Sequence, residues 1–94
     1  MFIQTEATPN PSTLKFIPGR DVMPGGTLDI RDREMAARSP LAQRLFDVQG
    51  VNGVFFGSDF VSVTKSDGEW QHLKPAVLGA IMEHFLSEIG RAHV

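Results

Sequence analysis

Any general base or metal ligand of the imidazole type in this chain must come from His72, His84 or His93, its only histidines. A zinc site needs three or four converging ligands, and the spacing of His72 and His84 brings no third ligand to them. A serine triad needs Ser, His and Asp to meet in space, and no nucleophile-elbow motif frames any serine. There is no cysteine, which excludes disulfides, thiolate nucleophiles and Cys-ligated zinc or iron–sulfur sites within these residues. His84 falls at the edge of an apolar helical stripe and His93 in the C-terminal tail, so both read as structural or solvent-facing. No catalytic, cofactor-binding or metal-ligating residue is assigned.

The glycines give no phosphate loop. PGRDVMPGG has no strand–GxxxxGK[ST]–helix context, and Gly53 with Gly57 lacks the dinucleotide pattern. Seven phenylalanines could form base-stacking platforms, but such a sheet needs Lys and Arg around them. Near Phe55 and Phe60 the one basic residue is Lys65, so core packing is the expectation. Should Phe55 and Phe60 face outward, they mark a protein contact, because contiguous exposed apolar area signals a partner. Thr8-Pro9-Asn10-Pro11 has two readings. Asn10 fixes the turn by bonding its own backbone, or it faces a partner together with Arg20.

These residues need a scaffold, and 94 residues supply one domain with one core. The net charge of −2 with mixed signs gives no electrostatic ground for nucleic acid or an anionic membrane. No apolar run approaches the ~20 residues that span a bilayer. The start, MFIQTEATPNP, lacks the basic and apolar regions of a secretory signal. A bacterial cytoplasm is the expected location, with the mitochondrial matrix as the alternative if a targeting segment was removed.

Residues 2–7 alternate with period two and read as a strand with Ile3 toward the core. The two prolines of TPNP break it, and residues 13–17 return as a second strand until Pro18-Gly19. Leu28 and Ile30 suggest a third, short strand. Arg31-Asp32-Arg33-Glu34 reads as a solvated loop or exposed helical turn. Ser39-Pro40 is a helix start, with Leu41, Leu45, Phe46 and Val48 as the apolar stripe and Gly50 as the C′ glycine.

The stretch GVNGVFFGSDFVSVTK is the plainest β-hairpin. Val51, Gly53 and Phe55 fall on one face, Asn52, Val54 and Phe56 on the other, and Gly53 suggests a bulge or a close backbone approach. Apolar residues on both faces suggest a central strand. Trp70 is expected over the sheet's end. Pro75 opens the last helix, whose stripe is Val77, Leu78, Ile81, Met82, Phe85, Leu86 and Ile89, and Gly90 ends it. Residues 1–90 are thus the expected domain, with 91–94 a frayed tail or the start of a linker. The predicted fold is α+β, a two-layer sandwich with a mixed, mostly antiparallel sheet and two helices on one face, in the order β-β-(β)-α-β-β-α.

TEATPNPSTLKFIPGR, SPLAQRLFDVQGVNGVFFGSDFVSVTK and WQHLKPAVLGAIMEHF, in that order, closely resemble the N-terminal domain of Nfu-type (NifU-like) iron–sulfur scaffold proteins. The resemblance runs from Met1 to about Ile89. It implies a protein that assembles or carries a [4Fe–4S] cluster and hands it to recipients. In the family that cluster is bound by a CxxC pair from each of two subunits, in a C-terminal domain that these residues do not include. The cluster-binding role is therefore not carried over, and the resemblance implies an excised domain of a longer protein or a stand-alone homologue.

The expected role is a non-catalytic accessory module, monomeric in isolation. Its partners would be iron–sulfur recipient or assembly proteins and its own C-terminal domain. Candidate contacts are Asn10, Lys15, Arg20, Phe55, Asp59 and Phe60. The competing reading is a small ligand-binding regulator or minor enzyme with a site near His72 or His84.

Overall fold

In the computed structural model, which describes residues 2–92 with side chains up to residue 87, five strands form one sheet covered on one side by helices. The elements are β1 (Gln4–Ala7), β2 (Thr13–Ile17), β3 (Leu28–Ile30), α1 (Arg33–Ala36), α2 (Pro40–Phe46), β4 (Val51–Phe56), β5 (Val61–Lys65) and α3 (Trp70–Ala92). The strand order is β1-β2-β5-β4-β3, and every pairing is antiparallel. The α+β expectation holds, but the sheet is not mixed. Each neighbour is reached by a turn or by a connection that reverses direction, and a parallel pair would need a crossover returning in the same sense.

The register builds the core row by row. Ala7, Leu14, Val63, Val54 and Ile30 stand opposite one another across the five strands, as do Thr5, Phe16, Val61, Phe56 and Leu28. From these rows Phe16, Ile30, Val54, Phe56, Val61 and Val63 are buried, and they cluster with Leu41, Ala42 and Leu45 of α2 and Val77, Ile81 and Phe85 of α3. Full burial of each large apolar side chain is worth about 1.5–3 kcal/mol, and among the described residues no buried polar residue dilutes this core.

Parity in the hairpin differs from the predicted alternation. Val51 pairs with Lys65 and Gly53 with Thr64, so β4 carries one extra residue at Asn52. That bulge, signalled by Gly53, moves Val51 to the core face with Val54 and Phe56 and leaves Asn52 exposed. A one-residue bulge resets every side chain before it.

Helix ends also depart from expectation. Ser39 caps α2, its Oγ accepting from Ala42 N at 3.2 Å, and Pro40 takes the first position. The helix stops at Phe46 with Asp47 as C-cap, so Gly50 lies beyond the C′ position. Its φ of +104° is used instead for the turn into β4, where Ser66 N donates to Gly50 O at 2.7 Å. A Cβ there would come within 2.8 Å of Asp67 O and 3.2 Å of the Leu73 side chain.

The charged run 31–34 supplies the cap Asp32 and the first two residues of the short α1, which is exposed except for Ala36, buried in the core. Arg33 stitches it to the end of α2, donating to Asp47 Oδ1 at 2.8 Å and Phe46 O at 2.6 Å.

α3 begins at Trp70, not Pro75. Pro75 removes one backbone donor, a cost of up to ~3 kcal/mol in a helix interior. Two anchors hold the turn before it. Leu73 is buried against the glycines at 50 and 68, and Trp70 Nε1 donates to Pro11 O at 3.0 Å. The helix also runs through Gly90 to Ala92; an interior glycine costs only about 1 kcal/mol. Leu86 is 56% exposed, since a helix lying on a sheet buries only one side of so broad a stripe. The side chains of Glu88 and Ile89, and His93 itself, lie outside the described residues.

Candidate protein interface on the uncovered sheet face

The residues that alternate with the core rows form the opposite surface. Glu6, Lys15, Ser62, Phe55 and Asp29 stand in one row across all five strands. Beside this row, Thr13 and Thr64 are cross-strand partners joined Oγ1 to Oγ1 at 2.9 Å. The helices occupy the other side, so this face is open.

Aromatic area breaks its polarity. Phe55 is 36% exposed and Phe60 half-buried. Their rings stack with centroids 6.1 Å apart and planes 26° from parallel, inside the range in which aromatic pairs attract. Lys15 Nζ lies 4.4 Å from the Phe60 ring centroid, a cation–π contact. Gly57 makes the arrangement possible, because a Cβ on it would overlap the Phe60 ring. The turn is closed by Gly57 N donating to Phe60 O at 3.0 Å, and Asp59 is exposed at its tip.

Four of the six predicted contact residues thus gather at β2 and the hairpin: Lys15, Phe55, Asp59 and Phe60. The nearest basic residue proves to be Lys15, brought in by the β2–β5 pairing rather than by sequence proximity. Asn10 and Arg20 lie elsewhere. Asn10 Oδ1 accepts from Ser12 N at 2.9 Å, and the Thr8 hydroxyl lies 2.9 Å from both Asn10 O and Thr13 O, its single proton shared between them. Its side chain is thus engaged in shaping the turn. The Arg20 guanidinium sits 5.6 Å from the centroid of Phe85 on α3, on the helical side.

Sequence reasoning missed Ser62, which lies between Lys15 and Phe55, and the role of Gly57. Period-two alternation in β5 signals Ser62, but only the strand order tells which strands flank it.

The two described histidines do not converge. His72 is exposed beside the turns around Gly50 and Gly68, whereas His84 lines a separate cleft near the hairpin tip. Among the described residues no three His, Asp or Glu side chains form a group able to hold a metal ion. With no cysteine in the chain, its residues do not fit an iron–sulfur cluster. No helix among the described residues is long and apolar enough to cross a membrane.

Residues 3–88 match the family described as scaffold protein Nfu/NifU N terminal. The chain is 52% identical over 95 residues to "NFU1 iron-sulfur cluster scaffold homolog, mitochondrial" of Drosophila erecta, covering 99% of this chain and 34% of that protein. It is 52% identical over 89 residues to the human protein of the same name, covering 93% and 35%. With "NifU-like protein 4, mitochondrial" of Arabidopsis thaliana it shares 51% over 88 residues, covering 93% and 31%. The chain therefore spans about a third of the length of these relatives. The solution structure of a NifU-like protein from Saccharomyces cerevisiae superposes with a TM-score of 0.80 at 26% identity, covering 92% of this chain and 79% of that one. A crystal structure of a Staphylococcus aureus protein shares the fold, with a TM-score of 0.74 at 24% identity over 86% and 99% of the two chains.

Proposed function

This chain belongs to the scaffold protein Nfu/NifU N-terminal family, and on that premise we propose that it is the protein-recognition domain of an iron–sulfur cluster scaffold or carrier. It acts without catalysis, in the assembly and delivery of clusters to recipient proteins. The cluster, [4Fe–4S] in the proposed reading, is cargo held by cysteines outside residues 1–94, in a separate C-terminal domain, with residues 1–90 forming the recognition domain. The relatives are named mitochondrial, which favours the mitochondrial matrix over the cytoplasm as the place of action. The reading of a small regulator or enzyme near His72 or His84 gains nothing from these relatives.

One observation carries the choice of surface: the stacked Phe55–Phe60 pair, with Lys15 over it, lies on a sheet face that no helix covers. Aromatic rings are enriched at the centre of protein interfaces whereas lysine is depleted there, so the ring pair and not Lys15 carries this reading.

The test is an NMR titration of the 15N-labelled chain with an apo iron–sulfur assembly scaffold from the same cell. Shifts are expected to cluster on Lys15, Phe55, Phe60 and Ser62, and Phe55→Ser is expected to weaken binding at least about tenfold, as loss of an aromatic anchor does. Shifts confined to the helical side, or binding indifferent to Phe55→Ser, would remove this face from the proposal.

A further inference from the structure

On the helical side, at the hairpin-tip end, a cleft of about 570 Å³ opens between the segment 21–28, the start of α2 and the end of α3. Phe56, Leu41 and Phe85 contribute its apolar floor, and Arg38, Arg44 and His84 stand at its rim. One wall is pinned: Val22 N and Met23 N both donate to Ser58 O, at 2.8 and 3.3 Å. Asp21 is the one acidic residue in the lining. In a chain of net charge −2, this is a local reversal of sign.

The arginines have capacity to spare. Among the described residues Arg38 makes no side-chain hydrogen bond or ion pair, and Arg44 only reaches Glu83 at a loose 3.5 Å. Each guanidinium carries five donors in a fork that matches a carboxylate. Arg20, its guanidinium 5.6 Å from the Phe85 ring centroid, adds a third cation next to the floor.

We infer that this cleft takes a linear segment of a partner protein in which an aliphatic or aromatic side chain stands next to an aspartate or glutamate. The apolar side chain fills the space over Phe56, Leu41 and Phe85, and the carboxylate meets the forks of Arg38 and Arg44. A volume of 570 Å³ lies in the range of pockets that enclose a small ligand; it holds one or two side chains, not a folded surface. The inference rests on the reading of this domain as a protein-recognition module, and it adds a second, chemically distinct contact on the side opposite Phe55 and Phe60.

The experiment is panning of a random-peptide phage library on the full chain, followed by calorimetry with the enriched peptide and a copy in which its carboxylates are amides. Enriched peptides are expected to carry Asp or Glu beside an apolar residue. The amide copy and Arg38→Glu are each expected to bind about tenfold more weakly, the usual loss of a charge-assisted contact. Arg38→Lys should fall between, because it keeps the charge and loses the fork. Phe55→Ser should bind the peptide as the parent does.

Arg38 is exposed, so an unchanged circular dichroism spectrum is expected for its variants. No enrichment, or peptides indifferent to both Arg38→Glu and Arg44→Glu, overturns the inference. Peptide binding lost with Phe55→Ser but kept with Arg38→Glu overturns the cleft and leaves the sheet-face reading standing. The scaffold titration above, repeated with Arg38→Glu, shows whether the sheet face fails separately.

Discussion

The two faces of the sheet are written in the same five strands, residue by residue, and differ in almost every property. On the covered face Phe16, Val61, Phe56 and Leu28 stand in line under α2 and α3, and Phe16 and Val61 have no solvent exposure at all. One residue along, Glu6, Lys15, Ser62, Phe55 and Asp29 line the uncovered face. The first face is apolar except for Thr5 at its edge and Lys65 opposite Val51, and it is closed by helices; the second is polar except for Ile17, Phe55 and the adjoining Phe60. The contrast separates two uses of an aromatic ring. Phe16 and Phe56 hold the fold, whereas Phe55 and Phe60 are not needed to close any core and remain available to a partner.

The most direct attempt to break that separation is a pair of truncations. Phe16→Ala deletes a fully buried ring in a central position, and its expected cost is about 3–5 kcal/mol. That is a large part of the stability of a domain this size. Phe55→Ala on the other face should cost under ~1 kcal/mol, since its ring is already partly in water and a surface truncation of this kind is typically mild. Urea denaturation of both variants measures the difference. Similar losses would mean that the open face is structural after all.

Gly57 is where the two faces meet, because Phe56 before it is buried and Phe60 after it lies over the glycine. Gly57→Ala forces the Phe60 ring from its seat. The expected loss is about 1–3 kcal/mol, the usual cost of overpacking, with the ring signals of Phe55 and Phe60 shifting together as the stack opens. A variant with parental stability and an unmoved Phe60 would show that the turn adapts and that the glycine is not what positions the pair.

Most of this architecture is legible in the sequence because the hydrophobic period reports which side of a strand or helix is buried. Leu28 and Ile30, Leu41 and Leu45, and Val61 and Val63 all fall where their spacing puts them. Local pattern fails where a tertiary contact decides. The bulge at Asn52 resets Val51 to the core, and alternation cannot show which side of the extra residue keeps its parity. Trp70 and Leu73 start α3 ahead of Pro75 because Pro11, Gly50 and Gly68 wait for them from distant loops. The candidate site shows the same limit. Phe55 and Phe60 are visible as neighbours in one hairpin, but Lys15 joins them through strand order, and Arg38 and Arg44 come to line one cleft with His84 only once α2 and α3 are packed.

The smallest effect tests the finest feature of the open face, the cation over the aromatic pair. Lys15 lies between Glu6 and Ser62 in the row and above Phe60, so it has two roles: it balances its acidic cross-strand neighbour Glu6, and it covers the ring. Asp29 at the far end of the row is already paired with Arg31 at 2.9 Å. A cation–π contact at a partly exposed site is worth about 0.5–1 kcal/mol, and Lys15→Gln should lower the melting temperature by only about 2–6 °C. Salt separates the two roles. The charge component of the loss should shrink at ionic strength near ~1 M, where the screening length falls to about 3 Å. The contact with the ring, where the ammonium lies 4.4 Å from the Phe60 centroid, should persist. A loss that vanishes entirely in salt would make Lys15 a balancing charge alone. A loss independent of salt would make the Lys15–Phe60 contact part of the fold, and the uncovered face would then be partly built for stability as well as for recognition.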